Sequence, residues 1–150
     1  MLFQSGQRLK ASYQFVEDGY DRRGAKLPDV PIVWVELQNS SGRFRGPCLV
    51  DTGFDGSIYA NEELALLLEG SSPIRTDHLY TVGEREIECE VFGLNAHLIT
   101  PETVRRVMDL GGIDVLVPTR AHDLSREAIV GRRILNALVL KLDGKTLEVL

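Results

Sequence analysis

Cysteine and histidine are scarce in this chain, and this scarcity argues against a metal centre. The 150 residues contain two cysteines, Cys48 and Cys89, and no Cys-x-x-Cys pair of the kind that binds zinc. Both cysteines lie in apolar or alternating segments, where the residue packs as a small hydrophobe. The three histidines, His78, His97 and His122, share no spacing. We therefore expect two buried free thiols, no metal and no cofactor.

Long apolar runs and concentrated basic charge are also missing. Nothing approaches the roughly 18 consecutive apolar residues that span a bilayer. The start of the chain turns polar after two apolar residues, without the apolar core of a signal peptide. The net charge is −5, and the arginine pairs are scattered instead of forming the basic face that phosphate binding needs. We expect a cytoplasmic protein that binds neither membranes nor nucleic acid.

The length of the chain suits one domain. Of its residues, 43% are hydrophobic, which suffices for a single core. Residues 1–30 are polar with isolated aromatic side chains and are interpreted as an N-terminal extension. Residues 31–150 carry the regular patterns of a folded domain, with no internal repeat or low-complexity tract.

Strand patterns dominate this domain. The segments 32–37 and 44–50 flank an Asn-Ser-Ser-Gly turn at 39–42 and predict a hairpin that delivers Asp51 at its end. Four more segments predict strands, of which the last two flank an Asp-Gly turn and form a hairpin: 94–99, 113–117, 138–142 and 146–150.

A further hairpin is predicted at 80–91, with its tip near Val82 to Glu84. After Gly83 the residues alternate between an apolar face and an acidic face, which is typical of a strand with one solvated side. The apolar positions are Ile87, Cys89 and Val91, and the acidic ones are Glu86, Glu88 and Glu90.

Two helices are predicted from their end signals. Asn61 can cap a helix over 62–69, which has two glutamates in its first turn and is followed by Gly70. The sequence Thr-Pro-Glu at 100–102 is a typical helix start and predicts a second helix that ends at Gly111 and Gly112.

The most informative segment is an apolar strand that runs into Asp51-Thr52-Gly53. An Asp-Thr-Gly triplet occurs by chance in roughly 3% of chains of this length. About eighty residues on, the sequence Ala-Ile-Val-Gly-Arg at 128–132 places two apolar residues before a glycine and an arginine. The other Asp-x-Gly and Asp-Gly sequences, at 109–111 and 143–144, lack both the threonine and the apolar approach.

These two motifs, in this order, resemble those of the retropepsin-like aspartic proteases, the retroviral proteases and their small single-domain bacterial and archaeal relatives. The resemblance covers residues 31–150. It implies an all-β fold, a closed acid-protease β-barrel with short helices, assembled as a homodimer. An aspartic protease needs two carboxylates that share one proton beside a water molecule. Because this chain has one Asp-Thr-Gly, a second copy must supply the other aspartate.

The resemblance also implies roles for individual residues. Asp51 would be the catalytic acid and base in peptide-bond hydrolysis, Thr52 would hydrogen-bond across the dimer axis, and Gly53 would permit the tight turn. The apolar-apolar-Gly segment would pack beneath the catalytic loop, and Arg132 after it would form a structural ion pair with Asp55.

The hairpin at 80–91 matches the flap of the family by position, the β-ribbon that closes over an extended peptide or protein substrate. Val82 and Gly83 at its tip, together with Asp55, are the expected substrate-binding residues. Residues 1–30 would contribute an interface strand, as the N-terminal strand often does in this family.

Two departures from the family pattern stand out. Phe54 occupies a position where many relatives carry Ala or Ser, whose hydroxyl would hydrogen-bond the catalytic carboxylate and favour its charged form. Because Phe54 has no such hydroxyl, we expect a higher working pH. The bulk of the Phe54 side chain also predicts a narrower substrate groove. The other departure is the segment 99–112, expected to be a helical insertion.

Three other interpretations compete with a peptidase. A dimer of the same fold could bind extended peptides by strand addition without catalysis. Asp51 could simply cap a turn after a strand. A strand followed by Asp-x-Gly also forms the phosphate loop of actin-like ATPases, but that fold needs two such lobes and a far longer chain.

Overall fold

The computed structural model describes residues 8–150, which form ten strands and few helical turns. The strands are β1 (Ala11–Gln14), β2 (Ile32–Asn39), β3 (Gly42–Val50), β4 (Ile58–Tyr59), β5 (Arg75–Tyr80), β6 (Glu86–Ile99), β7 (Arg106–Pro118), β8 (Ala128–Val130), β9 (Leu140–Leu142) and β10 (Thr146–Val149). The helices are α1 (Glu62–Leu68) and α2 (Arg132–Leu135), with a 3-10 turn at Ala121–Asp123. None of the helices in the described part of the chain has the length and apolar character to cross a membrane.

Six strands close into a barrel. The hydrogen-bonded order is β2-β3-β8-β4-β7-β6, and β2 also pairs with β6, which closes the ring, while β5 extends the sheet beyond β6. Closure satisfies the strand edges that an open sheet would expose. Fully buried aliphatic side chains fill the core, among them Val33, Val35, Leu37, Leu98, Val115 and Val130. The predicted all-β barrel is confirmed for the single chain.

The predicted hairpins are present. β2 and β3 pair antiparallel from Asn39↔Gly42 to Ile32↔Leu49, and the Asn39 side chain accepts hydrogen bonds from the Ser41 and Gly42 amides at 2.8 and 3.2 Å. The β9–β10 hairpin forms as predicted. The hairpin predicted at 80–91 also forms, but it pairs from Arg75↔Val91 to Tyr80↔Glu86, so that its first strand begins at Arg75. Strong turn residues beside β-branched and aromatic runs explain why these local features were predictable.

Helix α1 also matches its prediction. The Asn61 side chain accepts a hydrogen bond from the Leu64 amide at 3.1 Å, so one of the free amides of the first turn is satisfied. Leu64 and Leu68 face the core, and the helix is followed by Gly70 at φ +84°. This φ lies in the left-handed region that glycine adopts without strain.

The predicted helix over 100–112 is wrong, because the segment belongs to a β-hairpin. Residues 100–105 form a tight turn in which the Thr100 amide donates to the Arg105 carbonyl at 2.9 Å. The long strands β6 and β7 then pair antiparallel from Ile99↔Arg106 to Cys89↔Pro118. Pairing along these strands outweighs a local helix-start signal. Gly111, at φ +76°, lies where the strand register shifts, and therefore marks a β-bulge instead of a helix end.

The N-terminal extension is partly built into the fold. β1 pairs antiparallel with β10, and with β9 they form a separate three-stranded sheet. Tyr13 of β1 is buried, its hydroxyl donates to the Ile99 carbonyl at 2.8 Å, and burial raises its pKa to about 12. Residues 1–7 lie outside the described part. The role of the extension at a subunit interface stays a prediction.

One buried carboxylate ties three strands of the barrel together. Glu36 on β2 is 1% exposed and accepts hydrogen bonds from Arg45 on β3 at 2.8 Å and from Arg106 on β7 at 2.7 Å. Burial alone would raise the pKa of Glu36, but the two guanidinium groups outweigh burial, so that its pKa is lowered.

Glu36→Gln is therefore expected to lower the free energy of unfolding at neutral pH by about 2 kcal/mol. This loss is smaller than the usual cost of breaking a buried ion pair, because both arginines are partly solvated. A lowered pKa contributes stability above the unfolded pKa of about 4.3 and loses it as the pH falls through the folded value. The deficit of the variant should thus shrink below about pH 4. Urea unfolding at several pH values measures it, with exposed Glu102→Gln as control. Equal deficits for the two variants would contradict this account.

Candidate active site

Asp51 is positioned by the pairing of β3 with β8. These strands run parallel from Cys48↔Ala128 to Val50↔Val130, and the Asp51 amide donates to the Val130 carbonyl at 3.0 Å. The chain then turns, and the Gly53 amide donates to a carboxylate oxygen of Asp51 at 2.9 Å. Asp51, Thr52 and Gly53 remain exposed on the surface of the single chain.

The segment after β8 packs beneath this loop, as the resemblance implied. The Gly131 amide donates to the Ser57 carbonyl at 2.9 Å and the Arg132 amide to the Phe54 carbonyl at 2.8 Å. Gly131 has no room for a side chain, because a Cβ there would lie 2.4 Å from the Gly56 carbonyl oxygen and 2.6 Å from that of Phe54. Two distant segments are therefore in direct backbone contact at the candidate catalytic loop.

The hairpin of β5 and β6 over residues 75–91 lies beside the loop. It contains the predicted flap at 80–91 and is named the flap hairpin for that reason. Its tip is a tight turn in which the Thr81 amide donates to the Arg85 carbonyl at 2.9 Å and the Glu84 amide to the Thr81 carbonyl at 2.8 Å. Glu84 adopts φ +62°, an unusual conformation for a residue with a side chain. Val82 is fully exposed at the tip, where a partner molecule can reach it.

A cavity of about 480 Å³ lies between the loop and the flap hairpin. Its wall includes Asp51, Gly53 and Asp55 from the loop and Val82 from the hairpin. With Arg132, which lines the same cavity, five of the seven sequence-predicted site residues are brought together. Thr52 and Gly83 do not line the cavity in the single chain. A larger cavity of about 990 Å³, beside α1, contains no residue of the catalytic loop.

Asp55 and Arg132 line the same cavity. Within the described part of the chain, however, they make no contact shorter than 4.0 Å between charged atoms. The backbone of Arg132 holds the loop through Phe54 instead. The ion pair stays a prediction.

An apolar cluster connects the loop to the base of the flap hairpin. Tyr59 and Cys89 are buried in it, and Phe54, Leu79 and Ile87 pack against it. The rings of Phe54 and Tyr59 meet edge to face, with centroids 6.2 Å apart. Phe54 therefore forms one wall of the cavity and covers Gly131. No local sequence pattern predicts the contact between these two rings.

Tyr59 anchors the neighbouring loop through its hydroxyl, which donates to the Asp123 carbonyl at 2.5 Å. Burial raises the pKa of Tyr59 to about 12, so the phenol stays protonated at neutral pH. Sequence reasoning missed both residues, because an aromatic in a two-residue strand and an aspartate in a polar loop carry no recognisable motif.

The two cysteines are free and buried, as predicted. Burial raises the pKa of Cys48 to about 12 and that of Cys89 to about 11, which keeps both thiols unreactive. Across residues 8–150 no three His, Cys, Asp or Glu side chains gather in a group that could hold a metal ion.

Comparison with known proteins finds a likeness in structure but none in sequence. No family model matches the sequence, and no curated protein matches it either. Among solved structures, the chain is similar to a retropepsin-like aspartic protease from Rickettsia conorii, with a TM-score of 0.55 and 16% sequence identity. The match covers 92% of this chain and 98% of that one. At this identity the likeness establishes a retropepsin-like fold over nearly the whole chain.

Proposed function

We propose that this protein is a homodimeric aspartic peptidase in which each subunit contributes Asp51. The observation that carries the proposal is the exposed Asp-Thr-Gly loop at the mouth of a cavity bordered by the flap hairpin. The fold shared with a retropepsin-like aspartic protease supports it. A carboxylate on the surface beside a groove is available both to a substrate and to a second subunit.

The chemistry requires two Asp51 carboxylates facing each other across a two-fold axis. Like charges about 3 Å apart cannot both ionise, so the pair holds one proton. The ionised carboxylate takes a proton from water as the water attacks the peptide carbonyl, and the protonated one gives its proton to the carbonyl oxygen. The tetrahedral intermediate then collapses: the C–N bond breaks, the first carboxyl group gives its proton to the leaving amine, and the second takes a proton back from the hydroxyl group as the new carboxyl group forms. One exposed Asp51 per chain is consistent with a dyad that forms only on dimerisation.

The remaining site residues receive positioning roles. Thr52 would hydrogen-bond to the partner loop across the axis, and Gly53, whose amide already binds Asp51, would keep the turn compact. Asp55, Val82 and Gly83 would contact the backbone of an extended peptide lying between loop and flap. Arg132 would pair with Asp55 once the partner covers the loop.

Incubation of the wild-type protein with a broad peptide library, followed by mass spectrometry, tests this function. Cleavage within peptides over a range of mildly acidic to neutral pH is expected. If extended peptides bind without being cut at any pH, the chain is a peptide-binding module of the same fold, which is the second candidate.

A further inference from the structure

An ion pair ties the flap tip to the loop that carries the 3-10 turn Ala121–Asp123. Arg85, the last residue of the tip turn, donates to the carboxylate of Asp123. The Asp123 side chain is only 5% exposed, whereas that of Arg85 is 53% exposed. The imidazole of His122 lies beside both, 3.4 Å from the guanidinium and 3.6 Å from the carboxylate.

The Asp123 side of this contact is fixed to the barrel. Its carbonyl accepts the hydrogen bond from Tyr59, and its amide donates to the Arg120 carbonyl at 3.0 Å. One residue on in the same loop, Leu124 closes the 3-10 turn, and the Ser125 amide donates to the Ala60 carbonyl at 3.2 Å. The loop therefore acts as an anchor, and the hairpin is the element that can move against it.

The Arg85 side of the contact is coupled to the cavity. The Arg85 amide donates to the Thr81 hydroxyl at 3.2 Å, and the Thr81 amide donates back to the Arg85 carbonyl at 2.9 Å. These two bonds make the tip one compact unit, so Arg85 cannot shift without moving Val82. Thr81 and Val82 of the tip both line the cavity.

Lifting the hairpin would take Arg85 away from a carboxylate that has little access to water. A buried charge without its partner is costly, because the desolvation of Asp123 is then no longer compensated. Opening must therefore either leave that charge without its guanidinium partner or rearrange the anchored loop. The pair consequently shifts the hairpin towards its closed position.

We infer that Asp123 is a flap-positioning residue, which acts through Arg85 to set how firmly the hairpin closes over the cavity. For substrate turnover the inference rests on the proposed function. The closure itself is a property of the chain and can be measured without any substrate.

A spin label at the flap tip measures closure directly. Val82→Cys offers one exposed thiol, whereas Cys48 and Cys89 are fully buried, so labelling is selective. Arg85→Gln and Asp123→Asn are each expected to raise the population of mobile label about fivefold, since a partly exposed pair is worth less than a fully buried one. The double variant should show no further increase, because both substitutions remove the same interaction.

Arg120→Gln is the matched control. It removes a positive charge from the same loop, and Arg120 has no ion pair within the described residues. Its label mobility should equal that of the parent. Unchanged mobility in both pair variants, or mobility increases that simply add in the double variant, would overturn the inference.

Kinetics separate this inference from the proposed function. On a peptide that the wild type cleaves, Arg85→Gln and Asp123→Asn should raise KM about fivefold and leave kcat nearly unchanged, since neither residue touches the reacting atoms. Equal losses of kcat would contradict a positioning role. If no peptide is cleaved, the peptidase proposal fails. The mobility of the spin label still shows whether the ion pair between Arg85 and Asp123 holds the flap hairpin closed.

Discussion

Replacing Asp51 with Asn is expected to reduce peptide hydrolysis by at least about a thousandfold, because no carboxylate remains to take a proton from the attacking water. The amide keeps the shape of the side chain and can still accept the hydrogen bond from Gly53. The fold should survive. Dimer stability should be equal or greater, since the repulsion between two facing carboxylates disappears.

Rates on a cleaved peptide measure the loss of hydrolysis. Light scattering and thermal unfolding measure whether the dimer and the fold survive. Asp109→Asn is the matched control, because Asp109 accepts a hydrogen bond from the Gly111 amide at 2.7 Å in the same local arrangement. It should leave the rate unchanged. If Asn at position 51 cleaved as fast as the wild type, Asp51 would be a turn-capping residue and no more.

Replacing Gly131 with Ala is expected to displace the candidate catalytic loop, against which Gly131 packs. The added Cβ would lie 2.4 Å from the Gly56 carbonyl oxygen and 2.5 Å from a ring carbon of Phe54. Two of its three nearest neighbours are backbone atoms, which cannot rotate aside, so the loop itself has to move. The free energy of unfolding should fall by about 3 kcal/mol, and the displaced loop should lose most of its activity.

Gly93→Ala gives the reference for this change. Gly93 lies in β6 without a positive φ, and a Cβ there would meet nothing within 4 Å. Urea unfolding and peptide hydrolysis of both variants measure the effect. The Gly93 variant should resemble the wild type in both. A Gly131 variant that retained wild-type stability and rate would show that the close packing of loop and β8 segment is dispensable.

The sequence best predicted the structural features that depend on residues close together in the chain. Hairpins around 39–42 and 143–144 and the Asn61-capped helix depend on turn and cap chemistry within a few residues. The packing of the Asp51 loop against the segment after β8 was predictable because the two motifs, although eighty residues apart, each have a recognisable pattern. The Cys, Val and Glu alternation of β6 also matched the burial that the structure shows.

The sequence did not predict features that depend on contacts between residues far apart in the chain. Thr-Pro-Glu at 100–102 favours a helix, but the following residues pair along β6 and form β7. The partners of Glu36 lie up to 70 residues away, and Arg85 finds Asp123 across a gap of 38. No local pattern marks such pairs.

The central claim is that one active site needs Asp51 from two subunits, and mixing subunits tests it most directly. Wild type and Asp51→Asn are exchanged at a ninefold excess of the variant, with mixed dimers verified by native mass spectrometry of tagged chains. Random pairing leaves most wild-type chains in mixed dimers, so the activity per wild-type chain should fall to about one tenth. An undiminished activity per wild-type chain would mean that each chain works alone, and would contradict the shared dyad.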